Sequence, residues 1–154
     1  MDTIRIIFSR SVSLFSYGVR AMTWSDWSHC GILTKENTVV ESAFKLGGVV
    51  ETPFGLFCER VGEYAIVEMS CQDAQAIIDA ARSQLGKPYD WTGLFGIAFH
   101  NRNWQEEDSW WCSELIAWAF EAGGSPLFTP EARIRITPQH IYMLYHVEIC
   151  RHVN

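Results

Sequence analysis

Apolar and polar side chains alternate along TIRIIFS (residues 3–9), a run rich in β-branched residues, and that period predicts a first strand. The pattern then loses its period, and SVSLFSYGVRAMTWSDW (11–27) reads as a long aromatic loop. Alternation returns in SHCGILT and TVVESAF, separated by Lys35-Glu36-Asn37, a three-residue connection with Asn37 available for the left-handed position. Residues 28–44 are therefore expected to form a β-hairpin. With that loop, Thr34 faces Thr38 and Gly31 faces Glu41, so His29 and Glu41 become diagonal neighbours on one face; a loop one residue shorter would put Glu41 on the other. GGVVETP (47–53) offers a short extended piece after its glycine pair, and YAIVEM (64–69) a further strand.

A helical period replaces the alternation in CQDAQAIIDAARSQLG, where apolar residues recur at 74, 77, 78, 81 and 85, with Ser70 or Asp73 as the cap and Gly86 as the stop. KPYDWTGLFGIAFHNRNWQEED opens on a Pro turn and predicts a short helix near 91–99. Asp108 or Ser109 then caps a helix reading WWCSELIAWAFEA, ended by Gly123-Gly124. Thr137 caps a last helix with Pro138 at its first position, and HVEICR closes the pattern as a strand.

Length narrows the picture: 154 residues are enough for one domain burying roughly 70% of its unfolded surface, so a single domain is expected. A 48% apolar and 14% aromatic composition, with seven Trp, excludes a disordered chain. The net charge of -6 carries no basic cluster, which argues against nucleic acid as a partner. No apolar run reaches the roughly 18 residues of a membrane span, and Arg5 and Arg10 interrupt the apolar N-terminus, so neither a signal peptide nor an anchor is expected. Five cysteines without a C-x-x-C pair argue against a disulfide framework and a structural zinc site, and favour the cytoplasm or another reducing compartment.

One of these cysteines has a distinctive address. Cys112 falls in the first turn of its helix, near unpaired backbone N–H groups and the positive end of the macrodipole, which favour thiolate over thiol and can receive an oxyanion. The competing reading is a core residue between Trp111 and Ile116. A thiolate nucleophile needs a base, and His29, opening a strand where its ring can face a cleft, stands out from His100, His140, His146 and His152, though a structural histidine fits as well. Glu41 is the candidate acceptor that would fix the imidazole tautomer, against the alternative of a solvated strand carboxylate. Ser113 and Glu114 are expected to serve the helix N-terminus. Alternation sends Cys30 away from the face of His29 and predicts a buried, inert thiol. The tryptophans (24, 27, 91, 104, 110 and 111) would either wall an acyl- or ring-binding groove or fill the core.

WSHCGIL, VVESAFKLGGVVETPF, GKPYDWTGLFG and WWCSELIAWAF, in that order over residues 24–120, resemble the circularly permuted branch of the NlpC-type papain-like cysteine hydrolases, the YiiX-like group. The resemblance covers more than half of the chain and implies the order base, acid, nucleophile: His29, Glu41, Cys112. It implies an α+β fold, an antiparallel sheet or partial barrel packed on helices, and an amidase or peptidase acting through an acyl-enzyme without metal or cofactor. Family members also tend to place a tyrosine near the site, which makes Tyr89 of GKPYD a candidate donor to the oxyanion, beside the reading of a packing residue. Lecithin-retinol-type acyltransferases are similar to the permuted group, so a peptide, an amide or an acyl lipid are all substrates in view, and a fold that binds such ligands without turnover is the third alternative. Secreted, lipid-attached members exist, and the missing signal peptide sets a wall-directed role in doubt; cellular, viral and phage origins fit the residues equally.

Overall fold

The computed structural model describes residues 1–11, 13–90, 110–129, 136–144 and 147–153. Six strands form one antiparallel sheet: β1 (Asp2–Arg10), β2 (His29–Leu33), β3 (Thr38–Ala43), β4 (Gly48–Pro53), β5 (Glu63–Cys71) and β6 (Val147–Val153), in the spatial order β4-β3-β2-β1-β5-β6. Alternation decides which side chains face which layer. Ile4, Ile6, Phe8, Cys30, Ile32, Val40, Ala65 and Val67 join one large core cluster with residues of the helices α3 (Ala74–Arg82), α4 (Cys112–Ala122) and α5 (Pro138–Tyr142). Ile7, Leu33 and Val39 point the other way and pack on Phe57 of the short helix α2 (Phe54–Glu59).

The hairpin forms in the expected register. Ile32 faces Val40 and Leu33 faces Val39, Thr34 N–H donates to Thr38 O at 2.8 Å, and Asn37 takes φ 62° in the connection. Continuing that ladder sets Gly31 opposite Glu41, and a Cβ on Gly31 would stand 2.6 Å from Val39 Cγ1 and 3.3 Å from Glu41 Cβ, so a side chain has no room there. The extended pieces of GGVVETP and YAIVEM appear as β4 and β5, and the closing strand as β6.

Three expectations are corrected. Within 11–27 the chain forms a helix, α1 (Leu14–Thr23), whose first turn is held by Ser13 Oγ accepting from Ser16 N–H and whose end is Trp24 in the left-handed conformation. Gly18 and the serines, poor interior helix formers, mask the period. Helix α4 starts at Cys112 with Trp111 as its cap residue and no side-chain cap, because Trp110 is drawn into a parallel bridge with Tyr89 and donates its indole N–H to Gln84 Oε1 at 3.1 Å. Asp108, Ser109 and the helix expected near 91–99 lie outside the described residues. Ser113 and Glu114 stand in the first turn of α4 as expected, both buried, and Ser113 Oγ donates to Ile136 O at 2.6 Å, tying α4 to the approach to α5. The caps of α3 by Asp73 and of α5 by Thr137 are as expected, while Leu85, past the end of α3, is exposed.

Candidate active site

His29 is the first residue of β2, and its ring leaves the sheet on the α2 side, stacked on Phe57 with centroids 6.2 Å apart. The hairpin register brings Glu41 beside it: His29 Nε2 donates to Glu41 Oε2 at 2.6 Å. Glu41 is fully buried, and a bare carboxylate there would be costly. Its other oxygen, Oε1, accepts from Thr52 Oγ1 at 2.9 Å and from the Arg60 guanidinium. These donors and the imidazole outweigh the burial that would raise its pKa, and hold the carboxyl below the ordinary range.

The same imidazole neighbours Cys112, the first residue of α4, and the two groups act on each other's charge. With Nε2 committed to Glu41, Nδ1 is the nitrogen left for the sulfur. The side chains of 112, 29 and 41, far apart in sequence, thus form one row of thiol, imidazole and carboxylate. Burial alone would lower the His29 pKa, but the hydrogen bonds and charges of Cys112 and Glu41 push it up from 6.5 to about 10. Cys112 moves the opposite way: a hydrogen bond from the Cys30 thiol, the neighbouring imidazole and the Cys30 backbone N–H outweigh burial and hold it well below the usual thiol range. The two shifts run in the directions that favour a thiolate–imidazolium pair. Solvent reaches the row from the imidazole side: the His29 side chain is 21% exposed, Cys112 only 3%.

Cys30 is buried on the face opposite His29 as expected, and burial and the neighbouring Cys112 push its thiol up, which keeps it protonated. Arg60, Phe57 and Thr52 escaped the sequence reading altogether. Thr52 was in principle legible, since pairing β3 with β4 sets Glu41 against Val50 and leaves Thr52 one diagonal step away. Nothing in the pattern announces α2, only six residues long, which brings Phe57 under the imidazole, while Arg60, just past its end, stands over the Phe57 ring at 5.4 Å from its centroid.

The cleft beside His29 is walled by Ser11, Ser13 and Ser28 on one side and by Phe44, Arg60 and Tyr89 on the other. Tyr89 is half-buried, with its ring edge-on to Phe44 at 6.1 Å; burial and the nearby sulfurs of Cys112 and Cys30 raise its pKa well above the ordinary value, so it remains a neutral O–H donor. Among the tryptophans, Trp27, Trp110 and Trp111 are buried in the core, Trp24 is exposed, and Trp91 and Trp104 lie outside the described residues, as do His100 and His146. His140 caps α5 and His152 lies on β6. All five cysteines are free thiols. Among the described residues no helix is long and apolar enough to cross a membrane, and no group of three or more His, Cys, Asp or Glu stands where it would hold a metal ion.

No curated protein matches the chain significantly. Among solved structures, that of the metalloprotein YiiX from Escherichia coli O157:H7 is similar, with 28% identity and a TM-score of 0.61 over 80% of this chain and 67% of that one. The profile described as permuted papain-like amidase enzyme, YaeF/YiiX, C92 family, matches residues 5–136. A match over that span, on a sheet and helices of this arrangement, settles the family: the chain belongs to the permuted papain-like amidases of the C92 peptidase family and is a cysteine hydrolase of the amidase or peptidase type.

Proposed function

We propose that the chain, acting as a single domain, hydrolyses an amide bond of a peptide or amidated substrate through Cys112 as nucleophile, His29 as general base and acid, and Glu41 as the carboxylate that orients the imidazole. The observation that carries this reading is the imidazole bonded to a fully buried carboxylate at 2.6 Å, with a thiol at the start of a helix as its neighbour. The Cys112 thiolate attacks the carbonyl carbon, and the oxyanion develops beside the backbone N–H groups of the first turn of α4, with the neutral Tyr89 phenol as a further donor. The His29 imidazolium gives its proton to the departing amine, leaving an acyl-enzyme on sulfur. Water then attacks that thioester, His29 accepts its proton, and the carboxylic acid leaves as the thiolate returns. No metal or cofactor enters these steps.

The related alternative is acyl transfer from a lipid, as in lecithin-retinol-type enzymes. The cleft wall mixes the hydroxyls of Ser11, Ser13 and Ser28 with the apolar Phe44, Phe57 and Val61, and the described tryptophans do not line it, so the mass of the acyl group separates the two. The experiment is to incubate the protein with cell extract, trap the acyl group on Cys112 and weigh it. A peptide or other polar acyl mass on Cys112, absent in Cys112→Ala and strongly reduced in His29→Ala, supports the reading. A fatty-acyl mass overturns the choice of substrate. Slow, uniform labelling of all five cysteines by a thiol probe would identify a binding module instead.

A further inference from the structure

The cleft beside His29 has a charge of its own. Its wall carries two cations, Arg60 and Lys45, and the hydroxyls of Ser11, Ser13, Ser16 and Ser28, and among the described residues no Asp or Glu lines it. In a chain of net charge -6 that is a local reversal. Arg60 is held rather than free to swing: one Nη is engaged with Glu41, and the guanidinium lies over the Phe57 ring at 5.4 Å from its centroid. Its side chain is still 31% exposed, and its Nε–H and second Nη group keep their hydrogens for a ligand. Lys45, in the 3₁₀ turn Phe44–Leu46 between β3 and β4, is exposed and makes no ion pair among the described residues.

The serines add a donor. Ser16 Oγ donates to Ser28 Oγ at 2.7 Å and Ser28 Oγ to Ser9 O at 3.3 Å, so both hydrogens are used within the wall. Ser11 Oγ and Ser13 Oγ share one hydrogen at 2.9 Å, and Ser13 Oγ also accepts from Ser16 N–H. Whichever of the two donates to the other, one O–H is left to give.

We infer that this wall is a carboxylate subsite: Arg60, Lys45 and the Ser11–Ser13 pair bind a carboxylate that the substrate carries beside its scissile amide, so that acidic peptides are the preferred class. This rests on the reading of the cleft as the place of amide hydrolysis. Charge decides between a carboxylate and a phosphate. Glu41, behind the wall and bonded to Arg60, offsets one of the two positive charges. The one that remains matches a singly charged carboxylate better than a phosphate monoester of charge about -2. Phe44, Phe57 and Val61 in the same wall suit the methylenes of an acidic side chain.

The test measures binding to full-length Cys112→Ala, which cannot turn substrate over, by titration followed through NMR chemical shifts. The tripeptide alanyl-glutamyl-alanine, blocked at both ends, is expected to bind about tenfold tighter than its glutaminyl counterpart at low salt, and the preference should shrink as salt rises. A glutaminyl peptide with a free C-terminal carboxylate separates the two sources of the charge: preference for it over both blocked peptides assigns the subsite to a chain end. Adding Arg60→Gln or Lys45→Gln should cut the acidic preference to about threefold or less. Should Arg60→Gln lose its fold by circular dichroism, Lys45→Gln, at an exposed position, carries the comparison. Equal affinities for charged and neutral peptides, or no binding of either at millimolar concentration, overturn the subsite, as does tighter binding of glycerol 3-phosphate than of any peptide. A preference untouched by the substitutions overturns its assignment to these residues. A peptide acyl group trapped on Cys112 of the unsubstituted protein, without acidic preference, overturns the subsite and leaves the hydrolase reading standing; an acidic preference in a protein that cleaves no peptide does the reverse.

Discussion

Glu41 sits in the interior with His29, Thr52 and Arg60 all donating to it, an arrangement that tolerates a carboxylate and little else. Glu41→Gln keeps the shape and removes the charge, leaving the imidazolium without its counter-ion. Hydrolysis is expected to fall by about 100-fold or more, with a loss of stability on the order of 3 kcal/mol as the ion pairs are broken; steady-state kinetics and urea melts read the two separately. The pKa shifts give a second expectation. His29, raised from 6.5 to about 10, adds stability that is fully present below about pH 6.5 and lost as pH rises toward 10. Cys112, depressed, adds stability that is present above the ordinary thiol value of 9.0 and lost as pH falls through its folded pKa. Between the two folded values the charged pair is favoured. Alkylation of Cys112 should therefore lose less of its rate between pH 8 and pH 6 than an ordinary thiol, which slows by about 100-fold; a parallel slowing of Cys112 would show that the pair is not charged.

At the level of elements, the half of the site that local patterning could reveal was the hairpin. Alternation and Asn37 fixed its register, and the register alone made neighbours of His29 and Glu41. Gly31 is the feature that lets them meet, since any Cβ there presses on Val39 and on Glu41 itself. Gly31→Ala is expected to cost about 1–3 kcal/mol in thermal or urea unfolding and, by pushing β3 away, to reduce activity even at temperatures where the fold is intact; unchanged kinetics in a folded variant would count against this. Helices contributed what the pattern hid. The period of α4 was clear and Cys112 fell at its start, but the start itself was displaced because Trp110 is held by Tyr89 and Gln84, contacts no window of sequence contains. Cys30 was read correctly as buried, but alternation gives only the face a side chain takes and is silent on what docks there.

Across the whole molecule, the site joins layers rather than lying within one. The sheet supplies imidazole and carboxylate, α2 braces them from one side, and α4 brings the sulfur from the other, held by its packing on α3. That packing leaves no room for a side chain at Gly123, the residue that caps α4, where a Cβ would come within 2.9 Å of the Ile77 backbone. Gly123→Ala should lower the melting temperature by several degrees. Because the strain lies about 16 Å along the helix from Cys112, kcat/KM in the cold should stay close to that of the unsubstituted protein; a large kinetic loss there would mean that the helix moves as a rigid rod.

Having imidazole and thiol on successive rungs of β2 also makes the enzyme intolerant of a strand out of step. A shift of one position would preserve a complete ladder of backbone hydrogen bonds yet exchange the two groups, offering sulfur to the carboxylate and imidazole to the helix. Such a misthreaded chain would pass most tests for a folded protein and turn over nothing.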